Sequence, residues 1–235
     1  MKGQFYGIGV GPGDPELLTY KAVRILREVD LVAVPVTGKD NLSTARKIAG
    51  RFIRPECTVV EIDFPMTRDQ AKLEEAWQAA RDLLTSGLDQ GQSTAFLTLG
   101  DPMLYSTYIY LYQHLQEAGY PVSTVPGITS FSASAAAAGV PLAFGDEKVV
   151  LLPGSAVPEL SKEDLSAYQT VVIFKAARCY GQIVDALREA GRLNNSILVE
   201  SCGHPDQRVI TDLPALVEED LSYFSLIISR KEPVM

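Results

Sequence analysis

Cysteine is scarce here, and nothing pairs it. Cys57, Cys179 and Cys202 are spread over 235 residues without one Cys-x-x-Cys spacing, which argues against a disulfide framework or a thiolate zinc site and fits reduced thiols. Basic residues are outnumbered. With 21 Lys and Arg against 29 Asp and Glu, the formal net charge is -8, so the chain lacks the basic face that coats nucleic acid, and no nucleic-acid partner is expected. No apolar run approaches the roughly 20 residues that cross a bilayer. The start, Met1-Lys-Gly-Gln-Phe-Tyr-Gly7, enters a strand without the apolar centre of a signal segment. The expectation is a soluble cytoplasmic protein with no membrane partner. A Gly-Lys-Ser/Thr phosphate loop is missing, as are internal repeats and low-complexity tracts.

What the chain has is core material. A hydrophobic fraction of 46% supports one large domain or two small ones. Strand patterns at residues 4–10, 30–35, 57–64, 94–99 and 121–125 alternate with helical patterns at 17–29, 43–52, 69–87 and 105–119, which predicts a mostly parallel sheet covered on both faces. In the first helix, apolar residues at 18, 22, 25, 26 and 29 make one buried face and leave Lys21, Arg24 and Arg27 to water. A polar loop carries Gly38, Lys39 and Asp40, and the only Trp, Trp77, reads as core. Strand candidates at 148–153, 170–175, 196–200, 207–211 and 224–229 have fewer helices between them, namely 181–190 and 213–220. That spacing predicts a mixed second sheet. The expected fold is therefore α/β with two domains, 1–125 and 126–235.

Three stretches carry candidate chemistry. Gly7, Gly9, Gly11 and Gly13 alternate at the end of the first strand, but Pro12 stands where a dinucleotide fingerprint needs its third glycine, so the loop is a tight strand-to-helix turn rather than a standard phosphate cradle. Asp14 and Pro15 suit the start of the helix that follows. Gly100-Asp-Pro102 ends the strand at 94–99, at the carboxyl end of a parallel sheet where open α/β folds place ligands. Its residues alone leave two readings: Asp101 accepts a hydrogen bond from a ligand, or it makes ordinary turn and cap chemistry. Val125-Pro-Gly-Ile-Thr-Ser130 opens a helix of small residues, with the Thr129 and Ser130 hydroxyls in its first turn. Cys202-Gly-His204 places a thiol and an imidazole after a strand, too few groups for a metal site.

Taken in order, Gly9-Val-Gly-Pro-Gly-Asp-Pro-Glu-Leu-Leu-Thr19, Gly100-Asp-Pro-Met-Leu-Tyr-Ser106 and Val125-Pro-Gly-Ile-Thr-Ser130 resemble the successive signatures of the tetrapyrrole methylase family, across essentially the whole chain. The resemblance implies an S-adenosylmethionine-dependent C-methyltransferase that binds its cofactor, folded, in a cleft between two α/β domains and is a homodimer. Carried over by motif, Leu99, Gly100, Asp101 and Leu104 would meet the cofactor from the first domain. Thr129, Ser130, Phe174, Lys175, Ala176 and Thr211 would follow, although many members carry Met where this chain has Phe174. Pro12 would border the tetrapyrrole. Gly-Asp-Pro-x-x-Tyr-Ser-Thr at 100–107 and the ending Tyr223-Phe-Ser-Leu-Ile-Ile228 are most similar to the branch that methylates C-20 of precorrin-2 or cobalt-factor II in cobalamin biosynthesis.

Methylation of that meso carbon must be followed by loss of its proton, for which Tyr105, Asp101, Glu200 and His204 are the candidate acceptors. Tyr105 and Asp101 stand as the candidate catalytic residues. A substrate with many carboxylates needs cations, and Lys175, Arg178 and Arg208 are the candidates, each of which also reads as a solvated surface residue. No protein-held metal is expected, since a cobalt ion would belong to the substrate. Two alternatives stay open. One is a family member acting on another corrin position or on the diphthamide precursor; the other is a nucleotide-binding α/β module without activity, which would bind phosphate ligands and not S-adenosylhomocysteine. Asp101→Ala is expected to weaken cofactor binding while leaving the melting temperature nearly unchanged.

Overall fold

A computed structural model describes residues 2–36, 43–64, 69–217 and 219–233. The chain divides into two compact units, 1–129 and 130–235. In the first, strands β1 (Phe5–Gly9), β2 (Leu31–Val36), β3 (Thr58–Asp63), β4 (Thr94–Thr98) and β5 (Val122–Val125) form one sheet in the order β3-β2-β4-β1-β5. Every pairing is parallel. Helices α1 (Tyr20–Leu26), α2 (Thr44–Ala49), α3 (Gln70–Asp89) and α4 (Tyr108–Glu117) connect them.

Alternation along the strands decides which helix covers which face. Ile8, Val32, Val34, Ala95 and Leu97 pack with Ala22, Ile25, Leu26, Ala45 and Ile48 of α1 and α2. Phe5, Leu31, Ala33 and Phe96, their neighbours along the chain, pack with Ala80, Leu84, Leu88, Tyr108, Leu111 and Leu115 of α3 and α4. Trp77 is half-buried on that second face, 4.6 Å from the Phe64 ring and 5.3 Å from Tyr110. Lys21, Arg24 and Arg27 are exposed, as the periodicity predicts.

Two expected helices differ in the structure. The 17–29 helix begins late: Asp14 caps a 3-10 turn at Pro15–Leu17, Leu18 is extended, and Thr19 caps α1 by accepting from the Ala22 amide. The 105–119 helix starts at Tyr108, because Tyr105 adopts a left-handed φ of 51° that a helix cannot contain. The predicted polar loop at Gly38, Lys39 and Asp40 lies outside the described residues.

The second unit opens with α5 (Ser130–Ala138). Its sheet is built from β6 (Val149–Pro153), β7 (Thr170–Phe174), β8 (Ser196–Glu200), β9 (Arg208–Ile210) and β10 (Ser225–Arg230), ordered β6-β7-β10-β8-β9. Only β6 and β7 are parallel; β10 runs against β7 and β8, and β9 against β8. Helices α6 (Lys162–Ser166) and α7 (Tyr180–Glu189) accompany it. In the region of the expected 213–220 helix the described residues hold only a 3-10 turn, Pro214–Leu216.

Among the described residues the largest fully buried side chain is Arg192. All five of its N–H donors are engaged: Nε with Ser229 Oγ, Nη1 with the Leu165 and Tyr168 carbonyls, Nη2 with those of Gln169 and Ser229. Burial lowers its pKa to about 10, so it stays charged at neutral pH and ties the start of β7 to the end of β10. Arg230 lies close by, its Nη2 donating to both carboxylate oxygens of Glu147 at 2.9 Å.

Candidate functional site

In a parallel sheet ordered β4-β1-β5, the loops that leave the carboxyl ends of three neighbouring strands emerge side by side. Here those loops carry the three glycine-bearing motifs. Gly11 and Gly100 pair as an isolated bridge, the Gly100 N–H donating to Gly11 O at 2.8 Å and the Gly11 N–H to Gly100 O at 3.3 Å. Gly127 completes the crossing. A Cβ on Gly127 would lie 2.0 Å from Gly100 O, and one on Gly9 would lie 2.5 Å from the same oxygen and 2.7 Å from Gly127 N. Glycine is required because backbone touches backbone.

Gly100, with φ 63°, is different. A Cβ there would meet nothing closer than Ile128 O at 4.0 Å, so one side of this peptide is open to a small molecule that needs close backbone approach. Asp101 sets the shape of the loop. Its Oδ1 accepts from the Met103 amide at 2.9 Å and its Oδ2 from the Gly127 amide at 3.0 Å, which joins the β4 loop to the β5 loop. The cap reading is thereby corrected: Asp101 closes a turn, and the hydroxyl of Ser106 accepts from the Tyr108 amide at the head of α4, at 3.2 Å. Ser106 also bonds Thr98 Oγ1 at 2.8 Å. An ionised carboxylate offers about four lone-pair sites, so two loop bonds leave Asp101 able to accept from a ligand as well.

Around this loop cluster Leu99, Leu104, Pro12 and Thr129 are half-buried, and Tyr105 is 51% exposed. Leu99 packs on the α1–α2 face of the core. Pro12 directly follows the left-handed Gly11, and Thr129 ends the β5 loop.

The remaining candidates belong to the second unit. The register runs Pro153, Phe174, Leu226 across three strands, and Ser225, Glu200, Arg208 across the others, so the residues just beyond this row share one end of the sheet. Lys175 follows β7 in a left-handed conformation with φ 55° and is exposed; Phe174 packs edge-on against Phe131 at 6.0 Å, and Ala176 is buried in the next turn. Arg178 is exposed on that turn, and Ser130 opens α5.

Arg208, read as a carboxylate grip, already holds two carboxylates of this chain. Its Nε donates to Glu200 at 2.6 Å, and Nη1 and Nη2 donate to Glu219 at 3.1 Å. Those bonds raise its pKa above the ordinary guanidinium value. Glu200, a candidate proton acceptor, is buried and also accepts from the Ser222 amide. Thr211 stands apart from Lys175, beyond the opposite end of β9 from Arg208, beside a cavity of about 330 Å³ lined in part by Asn194, Asn195 and Arg230. Cys202 is buried, which pushes its thiol pKa up, and His204 stacks on Phe224 at 5.9 Å. Among the described residues no group of three His, Cys, Asp or Glu is placed to hold a metal ion, and no helix is long and apolar enough to cross a membrane.

Two residues that sequence reasoning passed over are Gly127 and Tyr108. Gly127 had a signal, its place in the third motif. Tyr108 had none: it lies under Gly7, where a Cβ would sit 2.0 Å from its ring, and its hydroxyl bonds Thr124 at 2.7 Å.

Two successive α/β units, the first presenting open glycine backbone at its strand ends, define a class of small-molecule-binding α/β proteins. The model of the Tetrapyrrole (Corrin/Porphyrin) Methylases matches residues 4–216, and the chain belongs to that family. It is 32% identical to the cobalt-precorrin-2 C(20)-methyltransferase of Salmonella typhimurium, over 99% of this chain and 98% of that one. It is 36% identical to the cobalamin biosynthesis protein CobIJ of Mycobacterium bovis, over 96% of its own length but only 45% of that protein's. Among solved structures, the uroporphyrin-III C-methyl transferase of Thermus thermophilus, complexed with S-adenyl homocysteine, superposes with a TM-score of 0.71 at 25% identity, covering 97% of this chain and 98% of the other.

Proposed function

We propose that this protein transfers a methyl group from S-adenosylmethionine to C-20 of a precorrin-2-type tetrapyrrole, metal-free or carrying cobalt, in cobalamin biosynthesis. The observation that carries the reading is the end-to-end similarity to the Salmonella C-20 enzyme, joined to an open glycine turn where the family's second signature falls. When bound, S-adenosylmethionine supplies an activated methyl group and its own leaving group. The protein's task is then to hold the acceptor carbon in line and exclude water, a contribution on the order of 7 to 11 kcal/mol in favourable systems.

In this reading Leu99, Gly100 and Leu104 line the cofactor in the first unit, with Asp101 both bracing the loop and accepting from the ligand. Thr129, Ser130, Phe174, Lys175 and Ala176 are the further cofactor contacts; Thr211, three rows down the sheet from Lys175 and beyond the far end of β9, falls outside that set. Pro12, Lys175 and Arg178 meet the tetrapyrrole, with Lys175 and Arg178 offering cations to its carboxylates; Arg208 reaches it only by giving up a bond to Glu219. Tyr105, held in a conformation that costs on the order of 1 to 3 kcal/mol, is the candidate acceptor for the C-20 proton, and Asp101, Glu200 and His204 are the alternative acceptors. The protein works as a homodimer in the cytoplasm.

Mass spectrometry of the pigment after incubation with S-adenosylmethionine and either precorrin-2 or cobalt-factor II tests this directly. A gain of one methyl with one of them assigns the substrate. No gain with either, from protein that binds S-adenosylhomocysteine, rejects C-20 chemistry.

A further inference from the structure

The ending Tyr223-Phe224 distinguished this sequence without receiving a role. In the structure the contrast is sharp: all six residues of β10 are buried, yet the two aromatics just before it are 48% and 39% exposed. Their loop is braced. The Ser201 amide donates to Phe224 O at 3.1 Å, the Phe224 amide to Ser222 Oγ at 3.2 Å, Ser225 Oγ to Ser222 O at 2.7 Å, and the Ser222 amide to Glu200. The rings are braced too: Phe224 has His204 stacked on it, with planes 18° apart, and Tyr223 meets Phe224 edge-on at 5.6 Å. The Lys175 ammonium lies 5.7 Å from the centre of the Tyr223 ring. Lys175 and Ser201, at φ 55° and 49°, are two of the three left-handed non-glycine residues among those described, and they flank this loop from β7 and β8. Strain of this kind clusters at ligand clamps and active sites, and here it lies on both sides of exposed rings.

We infer that Tyr223, Phe224 and Lys175 form a preorganised docking face for a flat, conjugated macrocycle bearing carboxylates, the rings taking its plane and the ammonium a peripheral carboxylate. The inference rests on the tetrapyrrole reading above and adds the residues that set substrate affinity. The charge fits an anion: Lys175 and Arg178 are exposed on the turn after β7, while Glu200 and Glu219 are paired with Arg208. A second copy of the chain fits poorly. Two half-exposed rings offer roughly 200 Å² of apolar surface, against about 800 Å² per partner in a stable interface.

The test compares wild type with Y223A/F224A and with Y223L/F224L, which keeps bulk if the alanine pair fails to fold. S-Adenosylhomocysteine affinity is measured by calorimetry, cobalt-factor II affinity by fluorescence quenching, and KM and kcat by methyl transfer. Both double variants should bind S-adenosylhomocysteine within about twofold of wild type, lose about tenfold in cobalt-factor II affinity and show a KM raised about tenfold. Lys175→Asn, which tolerates the left-handed backbone, should raise KM and flatten its dependence on salt. Wild type that binds cobalt-factor II, with full affinity kept in a folded double variant, overturns the docking face alone. Wild type that binds no tetrapyrrole overturns the function and the face together. A double variant with unchanged KM but a weakened dimer in sedimentation assigns the rings to a second copy and overturns the proposal.

Discussion

Removing the carboxylate of Asp101 tests the architecture of the loop cluster. It accepts from two backbone amides, Met103 at 2.9 Å and Gly127 at 3.0 Å, and the second of these joins loops from two strands. Hydrogen bonds to a charged group contribute about 1.5 to 3 kcal/mol each when buried. Asp101 is only half-buried, so water re-satisfies part of the loss, and about 2 kcal/mol is expected for the pair. In a chain of this length that lowers the melting temperature by roughly 4 to 8 °C. This replaces the expectation, drawn from sequence, that Asp101→Ala would leave the melting temperature nearly unchanged. Asp101→Asn sharpens the test: its amide keeps one acceptor and turns an NH₂ toward the other backbone N–H, so it should lose at least half as much as alanine. Differential scanning calorimetry, with and without S-adenosylhomocysteine, reads both. An Asp101→Ala protein that melts with wild type would refute the bracing role and return Asp101 to ligand binding alone.

Three other outcomes are expected. Gly127→Ala puts a methyl 2.0 Å from Gly100 O, where backbone rather than a flexible side chain must yield, so urea denaturation should show a loss of about 3 kcal/mol; wild-type stability would mean the crossing loops are slack. Arg192→Met strips a donor from four carbonyls and the Ser229 hydroxyl, of which Gln169 O keeps the Lys231 amide, and the same assay should register a loss of about 3 to 5 kcal/mol; a neutral outcome would show that the stripped groups find other partners. Tyr180, whose hydroxyl donates to Leu213 O at 2.8 Å, has its pKa pushed by burial from 10 up to about 12. Between those values the unfolded chain has released the proton that the folded chain keeps. Its contribution is therefore full below pH 10 and is lost as pH rises toward 12, by at most about 2.7 kcal/mol. Tyr180→Phe should show a shallower fall in stability from pH 10 to 12, and parallel curves would remove Tyr180 from the alkaline transition.

Much of the fold is written locally. Alternation along β1, β2 and β4 assigns residues to two faces, and the apolar stripe of α1 selects its buried side, because both periods depend only on backbone geometry. The scarcity of helices between the later strands forecast the mixed second sheet. Glycine at positions 9, 11, 100 and 127 was visible as a pattern, and the pattern sufficed for the family, since close backbone approach at 9 and 127 and a left-handed φ at 11 and 100 both favour glycine. What the sequence could not fix was the partner of each polar group. Asp101 meets an amide 26 residues away, Arg208 is claimed by Glu219 and Glu200, and Arg192 is buried among carbonyls of two other segments. None of these pairings leaves a local signal, because a side chain's charge is the same whether it faces water or a distant loop. Left-handed Tyr105 and Lys175 are likewise products of tertiary structure, as their intrinsic preference is against that conformation. Periodicity thus set the layers, and only the assembled sheet ends decided which cations and carboxylates are committed to the fold and which are left exposed.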